Sequence, residues 1–320
     1  MSQTRSIVGG RRLCAAKSKQ IILRGAFLMR LATFEHQSRQ SYGVVIGDSI
    51  LDVGRFLGDR APDLRSAITH SLLPEIAKLA HKERPDLALE DVRLLPVIPN
   101  PEKILCIGLN YESHRRETGR SESEYPVIFT RFANSQVGHE SPIIRPAVSR
   151  QLDYEGEIAV IIGKRGRSLD VTHAMEYVAG YACYNDATVR DWQRHTHQWT
   201  PGKNFPATGG FGPWMVTADE IEDIRSLILV TRLNGQEMQR VTTDLLTFSI
   251  PELIAYLSTF TYLEPGDVIC TGTPGGVGFK REPPIYMKPG DVVEVEVSQI
   301  GTLRNTVIDE PAEETACSSA

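Results

Sequence analysis

Apolar and polar positions along the first hundred residues predict a small unit of strands and one helix. Three segments are predicted to be short strands, namely 29–34, 41–46 and 49–53. A Gly47-Asp48 turn joins the second strand to the third. Apolar residues at helical spacing predict a helix over 64–80, and prolines from 96 to 101 mark a linker. We therefore expect a small α+β N-terminal domain over residues 29–98.

Strand patterns dominate the rest of the chain. Strands are predicted at 104–108, 127–132, 156–162, 177–184, 227–233, 268–271 and 292–297. Helices are predicted at 111–117, 187–197 and 250–256. Many strands joined by irregular Gly/Pro loops favour a rolled or barrel-like sheet over a doubly wound parallel sheet. The predicted fold class is mixed α/β and β-rich, with the main domain over 99–308.

Composition excludes several classes of protein. The 320 residues are 41% hydrophobic and 23% charged, which is close to the average for a globular protein and excludes a disordered chain. No run approaches the roughly 18 consecutive apolar residues of a membrane-spanning helix. The net charge of −5 offers no basic surface for nucleic acid or an anionic bilayer. We expect a small-molecule partner.

The five cysteines are odd in number, widely spaced and without a C-x-x-C pair. This pattern excludes a disulfide framework and a zinc knuckle. Three of the five lie in apolar runs and are predicted to be small buried hydrophobes: Cys106, Cys183 and Cys270. We expect a reducing compartment and a cytoplasmic protein.

The two ends of the chain differ from its middle. Residues 1–28 carry six basic residues and no acidic one, a composition that organelle-targeting peptides share. Because the segment lacks a clear amphipathic period, we interpret it as an extension outside the fold, with targeting as the alternative. Residues 309–320 are predicted to be a disordered polar tail.

Glu155 and Glu157 stand at the start of a strand that is otherwise apolar. Because side chains alternate across a strand, the two carboxylates share one face, about 7 Å apart. The next predicted strand ends in Asn185-Asp186, which puts a third carboxylate at a strand end. Three carboxylates without a nearby Cys or His favour Mg²⁺ or Mn²⁺ over zinc. The alternative is a solvated strand start with two outward glutamates.

His114 and Glu117 lie three residues apart, which places them on one face of the predicted helix at 111–117. An imidazole held by a carboxylate is the usual arrangement of a general base, because the carboxylate sets the tautomer and stabilises the imidazolium. A surface His–Glu pair is the alternative interpretation.

Two further segments are rich in glycine. The loop 271–278 follows a strand but lacks a G-x-x-x-x-G-K-[ST] motif and a following helix, so it is not a nucleotide-binding loop. It is either a tight structural turn or a loop whose amides and Thr273 hydroxyl contact an anion. The second segment, 201–214, is predicted to be turn-rich and contains a single lysine, Lys203. Taken alone, this residue is interpreted as an ordinary solvated lysine.

Six motifs in one order resemble the fumarylacetoacetate hydrolase family between residues 101 and 307. They are G-L-N-Y-x-x-H-x-x-E, L-D-Y-E-G-E, N-D at a strand end, R-D-W-Q, G-K-N-F with G-P-W, and T-G-T-P-G-G-V-G. The resemblance implies a β-roll catalytic domain, preceded by the small N-terminal domain that many members carry. It also implies a divalent metal, Mg²⁺ or Mn²⁺, and a keto-acid substrate. We further expect a homodimer.

The resemblance assigns roles residue by residue. The implied metal ligands are Glu155, Glu157 and Asp186, and the implied water-activating dyad is His114 with Glu117. Lys203 would stabilise developing negative charge. The implied substrate-binding residues are Arg190, Gln193 and Thr273. One departure concerns the loop after the lysine, where Asn204-Phe205-Pro206-Ala207 stands in place of the frequent Ser-Phe-Asp. The resemblance implies that this loop lies near the substrate, so the match there does not indicate a particular substrate.

The implied reaction is hydrolysis of a carbon–carbon bond in an acylpyruvate or a related 1,3-diketo acid. Water activated by His114 would attack the distal carbonyl, and the metal would stabilise the departing enolate. The same chemistry serves decarboxylation of oxaloacetate-like acids and isomerisation of 2-hydroxy-dienoic diacids in aromatic catabolism, and both stay alternatives. A non-catalytic relative that binds a metal or a carboxylate is a further alternative. The dyad favours hydrolysis, because an isomerase needs it less.

Overall fold

The computed structural model describes residues 29–311, which form many strands and few helices. The strands are β1 Arg30–His36, β2 Arg39–Ile46, β3 Ser49–Asp52, β4 Leu87–Ala88, β5 Arg93–Leu94, β6 Ile104–Gly108, β7 Val127–Arg131, β8 Gln136–Val137, β9 Ile143–Arg145, β10 Leu152–Asp153, β11 Gly156–Ile162, β12 Val178–Asp186, β13 Thr188–Val189, β14 Gly209–Thr217, β15 Ile228–Leu233, β16 Gln236–Thr242, β17 Val268–Cys270, β18 Val292–Val297 and β19 Gly301–Asp309.

The helices are short. They are α1 Gly54–Leu57, α2 Leu64–Thr69, α3 Leu73–Lys82, α4 Glu112–Glu117, α5 Arg190–Gln193, α6 Thr200–Lys203 and α7 Ile250–Phe260. Even α7, with 11 residues, falls far below the length of a bilayer-crossing helix, and no other helix in residues 29–311 reaches that length.

One large sheet runs in the order β4-β3-β2-β1-β14-β12-β11-β17-β6-β7, with β5 beside β1 and β8 beside β14. A second sheet has the order β16-β15-β18-β19-β9, and β10 pairs with β13. The predicted N-terminal unit joins the large sheet directly, because β1 pairs antiparallel with β14 at Leu31 and Met215. The domain division at residue 98 stays a prediction.

Strand β11 lies in the interior of the fold. Its seven residues are all buried, because β12 and β17 flank it and a hydrophobic cluster covers each face. Ile158 and Val160 belong to the cluster that includes the second sheet and α7, whereas Ala159 and Ile161 belong to the cluster that includes α2 and α3. Strand alternation places Glu157 on the same face as Ala159.

Most predicted strands occur within one or two residues of their expected bounds, and 156–162 and 292–297 match β11 and β18. The single helix predicted over 64–80 is wrong. It is divided into α2 and α3 by a turn in which Ser71 has a φ of 56°, and Pro74 stands in the first turn of α3. A residue in the left-handed conformation ends a helix. The helical spacing of apolar residues therefore continues through this turn, although the helical backbone conformation does not.

The helix predicted over 187–197 is also wrong. Thr188 and Val189 form β13 and pair with β10, and only Arg190–Gln193 is helical. The pairing Asp153↔Thr188 ties this segment to the strand that precedes the glutamates, which a local periodicity does not reveal.

The segment predicted to be turn-rich contains an interior strand. Residues 209–217 form β14 between β1 and β12, and most of them are buried. Gly209 stands there because the guanidinium of Arg131 approaches so closely that a Cβ would lie 2.8 Å from its Nη2. The glycine therefore marks a close approach of a side chain to a strand.

The predicted burial of Cys106, Cys183 and Cys270 is confirmed, and all three are free thiols. Asp309 still belongs to β19, and the amide of Glu310 donates to the carbonyl oxygen of Arg145, so the predicted start of the tail at residue 309 is wrong. The extension at 1–28 and the tail beyond 311 lie outside the described residues.

Candidate active site

Three carboxylates meet where β11 begins and β12 ends. One oxygen each from Glu155, Glu157 and Asp186 lies within 4.8 Å of the others, and all three residues are buried. Antiparallel pairing brings them together, since Glu157 is opposite Tyr184 and the amide of Asp186 donates to the carbonyl oxygen of Glu155 at 2.8 Å. The structure thus places the three residues where a single cation would contact all of them.

Lys203 is buried beside this triad. Its Nζ lies 2.6 Å from Oε2 of Glu155 and 2.5 Å from Oδ2 of Asp186, and it also contacts the carbonyl oxygen of Asp186 at 3.2 Å. Burial lowers the pKa of Lys203, but the two carboxylates outweigh this and raise it above its usual value. The interpretation as a solvated lysine is therefore wrong.

Two buried arginines complete the ring of charges. Nη1 of Arg131 donates to Oδ1 of Asp186 at 2.7 Å. Arg190 donates from Nε to Oδ2 of Asp153 at 2.8 Å, and its Nη2 lies 2.6 Å from Oε1 of Glu155. Arg131 and Asp153 were not predicted as site residues; Asp153 stands inside the L-D-Y-E-G-E motif, whereas nothing local to Arg131 distinguishes it.

The charges of the buried groups favour a cation at the triad. Four buried carboxylates, those of Asp153 and the triad, face three buried cations, Arg131, Arg190 and Lys203. Burial raises the pKa of Glu157 well above its usual value, and Asp186 raises it further. Arg190 and Lys203 outweigh burial at Glu155 and lower its pKa to about 2. The all-oxygen donor set and the uncompensated charge at Glu157 fit a hard divalent cation.

His114 and Glu117 form a dyad on α4. Nδ1 of His114 lies 2.7 Å from Oε1 of Glu117, and His114 is only 6% exposed. A carboxylate that accepts from Nδ1–H leaves Nε2 as the free ring nitrogen. The surface-pair alternative is wrong, because His114 lines the same cavity as Glu155 and Glu157.

The glycine-rich loop 271–278 directs its amides at the protein's own carboxylates. Gly272 donates to Oε2 of Glu157 at 2.9 Å, Gly276 to Oε2 of Glu117 at 2.8 Å and Gly278 to Oδ1 of Asp153 at 2.9 Å. Both open interpretations therefore hold in part: the loop is structural, and the anions it contacts are side chains of this chain. It links the dyad to the triad.

Thr273 projects from this loop into the cavity and is held by Gln239. Nε2 of Gln239 donates to Oγ1 of Thr273 at 2.8 Å, while Oε1 of Gln239 accepts from the amide of Gly156 at 3.0 Å. Since Oγ1 accepts from Gln239, the Thr273 hydroxyl is left to donate to a ligand. Gln239 was not predicted as a site residue, because its strand, β16, has no predicted counterpart.

A cavity of about 770 Å³ adjoins these groups. Seven of the nine residues assigned by resemblance line it: His114, Glu155, Glu157, Arg190, Gln193, Lys203 and Thr273. The other two, Glu117 and Asp186, contact lining residues from behind. Residues 193–199 form one wall, and Trp199 packs edge-on against Phe129 with ring centroids 5.3 Å apart.

The loop after Lys203 does not line the cavity. The side chain of Asn204 accepts from the amide of Phe132 at 2.6 Å and donates to the carbonyl oxygens of Thr130 and Thr200, each at 3.0 Å. Asn204 thus connects α6 to the end of β7. The expectation that this loop lies near the substrate is therefore wrong, and the departure from the Ser-Phe-Asp pattern concerns this connection instead of the cavity wall.

Comparison with known proteins agrees with this geometry. The chain matches the family model for the fumarylacetoacetate (FAA) hydrolase C-terminal domain over residues 103–308. It is 36% identical over 292 residues to oxaloacetate tautomerase FAHD2A, mitochondrial, of Bos taurus, covering 88% of this chain and 92% of the relative. This protein therefore belongs to the fumarylacetoacetate hydrolase family.

Two solved structures share the fold. The maleylpyruvate hydrolase of Sphingobium sp. SYK-6, in complex with manganese(II) ion and pyruvate, has a TM-score of 0.74 and 30% identity, covering 88% of this chain and 100% of that chain. The 5-carboxymethyl-2-hydroxymuconate delta-isomerase of Mycobacterium smegmatis has a TM-score of 0.70 and 32% identity at the same coverage. The predicted family and fold class are confirmed, and the manganese-bound relative agrees with a divalent metal at the acidic triad.

Proposed function

We propose that this protein is a divalent-metal-dependent enzyme that interconverts the keto and enol forms of oxaloacetate-like 2-oxo acids. The observation that supports the proposal most directly is the His114–Glu117 dyad, in which the buried His114 lines the cavity beside Glu155 and Glu157 while Glu117 holds its Nδ1. The tautomerase of Bos taurus supports the choice of reaction, because the two chains align over 88% of this one.

Glu155, Glu157 and Asp186 would hold the metal, and we propose Mg²⁺ or Mn²⁺. When bound, a divalent cation supplies a Lewis acid that withdraws electron density from the 2-oxo group and makes the C3 hydrogen more acidic. Lys203 and Arg190 already contact Glu155, so they keep its carboxylate ionised and hold it beside the other two carboxylates of the triad.

His114 would move the proton. Its free Nε2 accepts the proton from C3, the C–H electron pair becomes the C2=C3 double bond, and the carbonyl electron pair moves to oxygen. The imidazolium of His114 then gives this proton to the oxygen, so one C–H bond is exchanged for one O–H bond and His114 is neutral again. Glu117 stabilises the imidazolium that forms between the two transfers.

The remaining cavity groups would bind the substrate's oxygens. Arg190 and Gln193 lie together, since Nη1 of Arg190 donates to Oε1 of Gln193 at 3.1 Å and leaves the amide nitrogen of Gln193 to donate elsewhere. The Thr273 hydroxyl is a further donor. We propose that these three hold the carboxylate and oxo oxygens, while Lys203 stabilises negative charge as it develops.

Enol absorbance of oxaloacetate provides the test. Chelator-treated protein resupplied with Mg²⁺ or Mn²⁺ should accelerate the conversion, and His114→Ala should lower kcat by about 10²- to 10⁴-fold. The chain offers a matched control, since His173 and Glu176 form the same i,i+3 pair at 2.9 Å on the surface. His173→Ala should therefore be unaffected. Wild-type rates in His114→Ala would contradict the proposal.

Carbon–carbon hydrolysis is the second candidate. The cavity, at about 770 Å³, leaves space beside His114 for an acyl group and a water, and the maleylpyruvate hydrolase has the same fold. In this reaction Nε2 would take its proton from water instead of carbon. Acylpyruvates incubated in H₂¹⁸O should then yield ¹⁸O-labelled carboxylic acid, which tautomerisation does not produce. Release of carbon dioxide from oxaloacetate would instead indicate decarboxylation.

Assembly and compartment are also proposals. We propose a homodimer, which light scattering of the purified protein would test by its mass. The Bos taurus relative is named as mitochondrial, whereas the cysteine pattern favours the cytoplasm. Fusing residues 1–28 to a fluorescent protein decides between a targeting peptide and a passive extension.

A further inference from the structure

The outer part of the cavity carries cations that no carboxylate in residues 29–311 neutralises. Arg194 donates to neutral groups, the carbonyl oxygen of Arg190 at 3.1 Å and Oε1 of Gln151 at 3.0 Å. Lys280 contacts the ring of Phe279 and makes no ion pair with a described residue. Both cations line the cavity and both are exposed.

Many exposed arginines elsewhere on this protein are neutralised, although Arg84 and Arg167 also make no ion pair with a described residue. Those that pair with a carboxylate include Arg39, Arg60, Arg93, Arg225 and Arg240. The chain as a whole has a net charge of −5. Unpaired cations at the mouth of a cavity in an acidic protein create a local positive potential, which attracts anions.

Phe279 connects these cations to the inner site. The guanidinium carbon of Arg190 lies 4.3 Å from the centre of the ring, and the ring centre lies 5.4 Å from Nζ of Lys280 and 5.8 Å from the guanidinium carbon of Arg194. Arg190 in turn contacts Glu155 of the triad at 2.6 Å. The outer cations are therefore separated from the inner site by one arginine and one aromatic ring.

We propose that Arg194 and Lys280 form an outer subsite for the remote carboxylate of a dicarboxylic 2-oxo acid. The inference rests on the proposed function, since it requires the 2-oxo carboxylate to bind at the inner site. Phe279 would contact the methylene carbons between the two ends. Because the ring separates the two sites, a six-carbon diacid reaches the outer cations better than four-carbon oxaloacetate does.

Binding of three acids to the Mn²⁺-loaded protein, measured by calorimetry, tests this subsite. The probes are 2-oxoadipate, the monoacid 2-oxohexanoate of the same length, and oxaloacetate. In the double variant Arg194→Gln/Lys280→Gln, 2-oxoadipate should bind about tenfold more weakly, as two partly solvated ion pairs are lost. Binding of 2-oxohexanoate should change less than about twofold, since it lacks the remote charge.

The control removes the same charge elsewhere. Arg84 and Lys288 are exposed and lie outside the cavity lining, so Arg84→Gln/Lys288→Gln should leave all three affinities unchanged. Equal weakening of oxaloacetate and 2-oxoadipate in the cavity variant would overturn the subsite, because general attraction of dianions does not depend on their length. Unchanged binding of 2-oxoadipate would overturn it as well.

Exchange of C3 hydrogen for deuterium, followed by NMR with the same acids, separates the two proposals. Exchange accelerated by the wild-type protein supports the proposed function, and its dependence on chain length then reports the subsite. Absence of exchange with all three acids would contradict the proposed function, while the calorimetric preference for the long diacid would still support the subsite.

Discussion

The backbone amide of Gly276 donates to Oε2 of Glu117 at 2.8 Å, on the side of the carboxylate opposite His114. Glu117 is thus held by two donors, one from its own helix and one from the loop that also contacts Glu157. The orientation of His114 therefore depends on a segment more than 150 residues away in sequence. This relationship makes the loop part of the dyad's function.

Replacing Gly276 should disturb the dyad. Its φ is 102°, and a Cβ would lie 2.3 Å from the carbonyl oxygen of Met238, so Gly276→Ala must shift the loop. We expect kcat to fall by about tenfold or more, with a lower melting temperature. Gly290→Ala is the control, since Gly290 has a φ of 88° and open space around it. Melting curves should show a loss in both variants, but a similar loss of kcat in both would contradict the role of Gly276.

Glu157 should determine metal affinity. Glu157→Gln removes the charge whose burial a divalent cation would offset, so Mn²⁺ affinity measured by calorimetry should fall by more than about 100-fold. Glu237→Gln, which changes an exposed glutamate paired with Arg240, should bind Mn²⁺ like the wild type. Undiminished Mn²⁺ binding by Glu157→Gln would remove the triad as the metal site.

Gln239 should act through Thr273. Thr273→Val removes the proposed hydroxyl donor, and Gln239→Leu removes the group that holds it. Each variant should therefore raise KM about two- to tenfold, which is the change expected when one neutral hydrogen bond to the substrate is lost. The double variant should be no worse than the more severe single one, because the two residues form a unit. Gln236→Leu, an exposed position on β16, is the control. Additive effects in the steady-state kinetics would show that the residues act separately.

His139 should make stability depend on pH. Burial lowers its pKa below the ordinary value of about 6.5, and Arg304 lowers it further, against the opposing effect of Glu140. The unfolded chain therefore binds the proton first, so stability present above about pH 6.5 is lost as the pH falls. In His139→Asn this loss should be absent. Melting temperatures of both proteins between pH 7.5 and 5.5 check this, and parallel curves would exclude His139 as the cause.

Local spacing was sufficient for the parts of the site that lie on one element. The period of two predicted that Glu155 and Glu157 lie close together, which is confirmed although Glu155 stands one residue before β11, and the i,i+3 spacing placed His114 beside Glu117. The uninterrupted apolar run of β11 likewise predicted its bounds, because a strand buried on both faces needs no polar positions. Local geometry alone decides such features.

Features that depend on contacts between distant segments could not be predicted in this way. The break between α2 and α3 at Ser71 interrupts a continuous helical pattern, and β14 is a buried strand despite its glycines and proline. Gly209 belongs in that strand because Arg131 approaches it, and that approach joins residues 78 apart. Secondary-structure propensity describes an isolated segment, whereas packing against distant segments determined the secondary structure at these two places.

The order of the motifs along the chain was enough to predict the family and the sheet-rich fold. The contact of Asp186 with Glu155, the buried ion pairs of Lys203 and the hydrogen bond from Gln239 to Thr273 emerge only when the chain is folded. Periodicity reflects neighbours a few residues apart, whereas burial, charge compensation and hydrogen bonding join groups from many strands. The position of the outer cations Arg194 and Lys280, on the far side of the Phe279 ring from the inner site, likewise follows only from the folded structure.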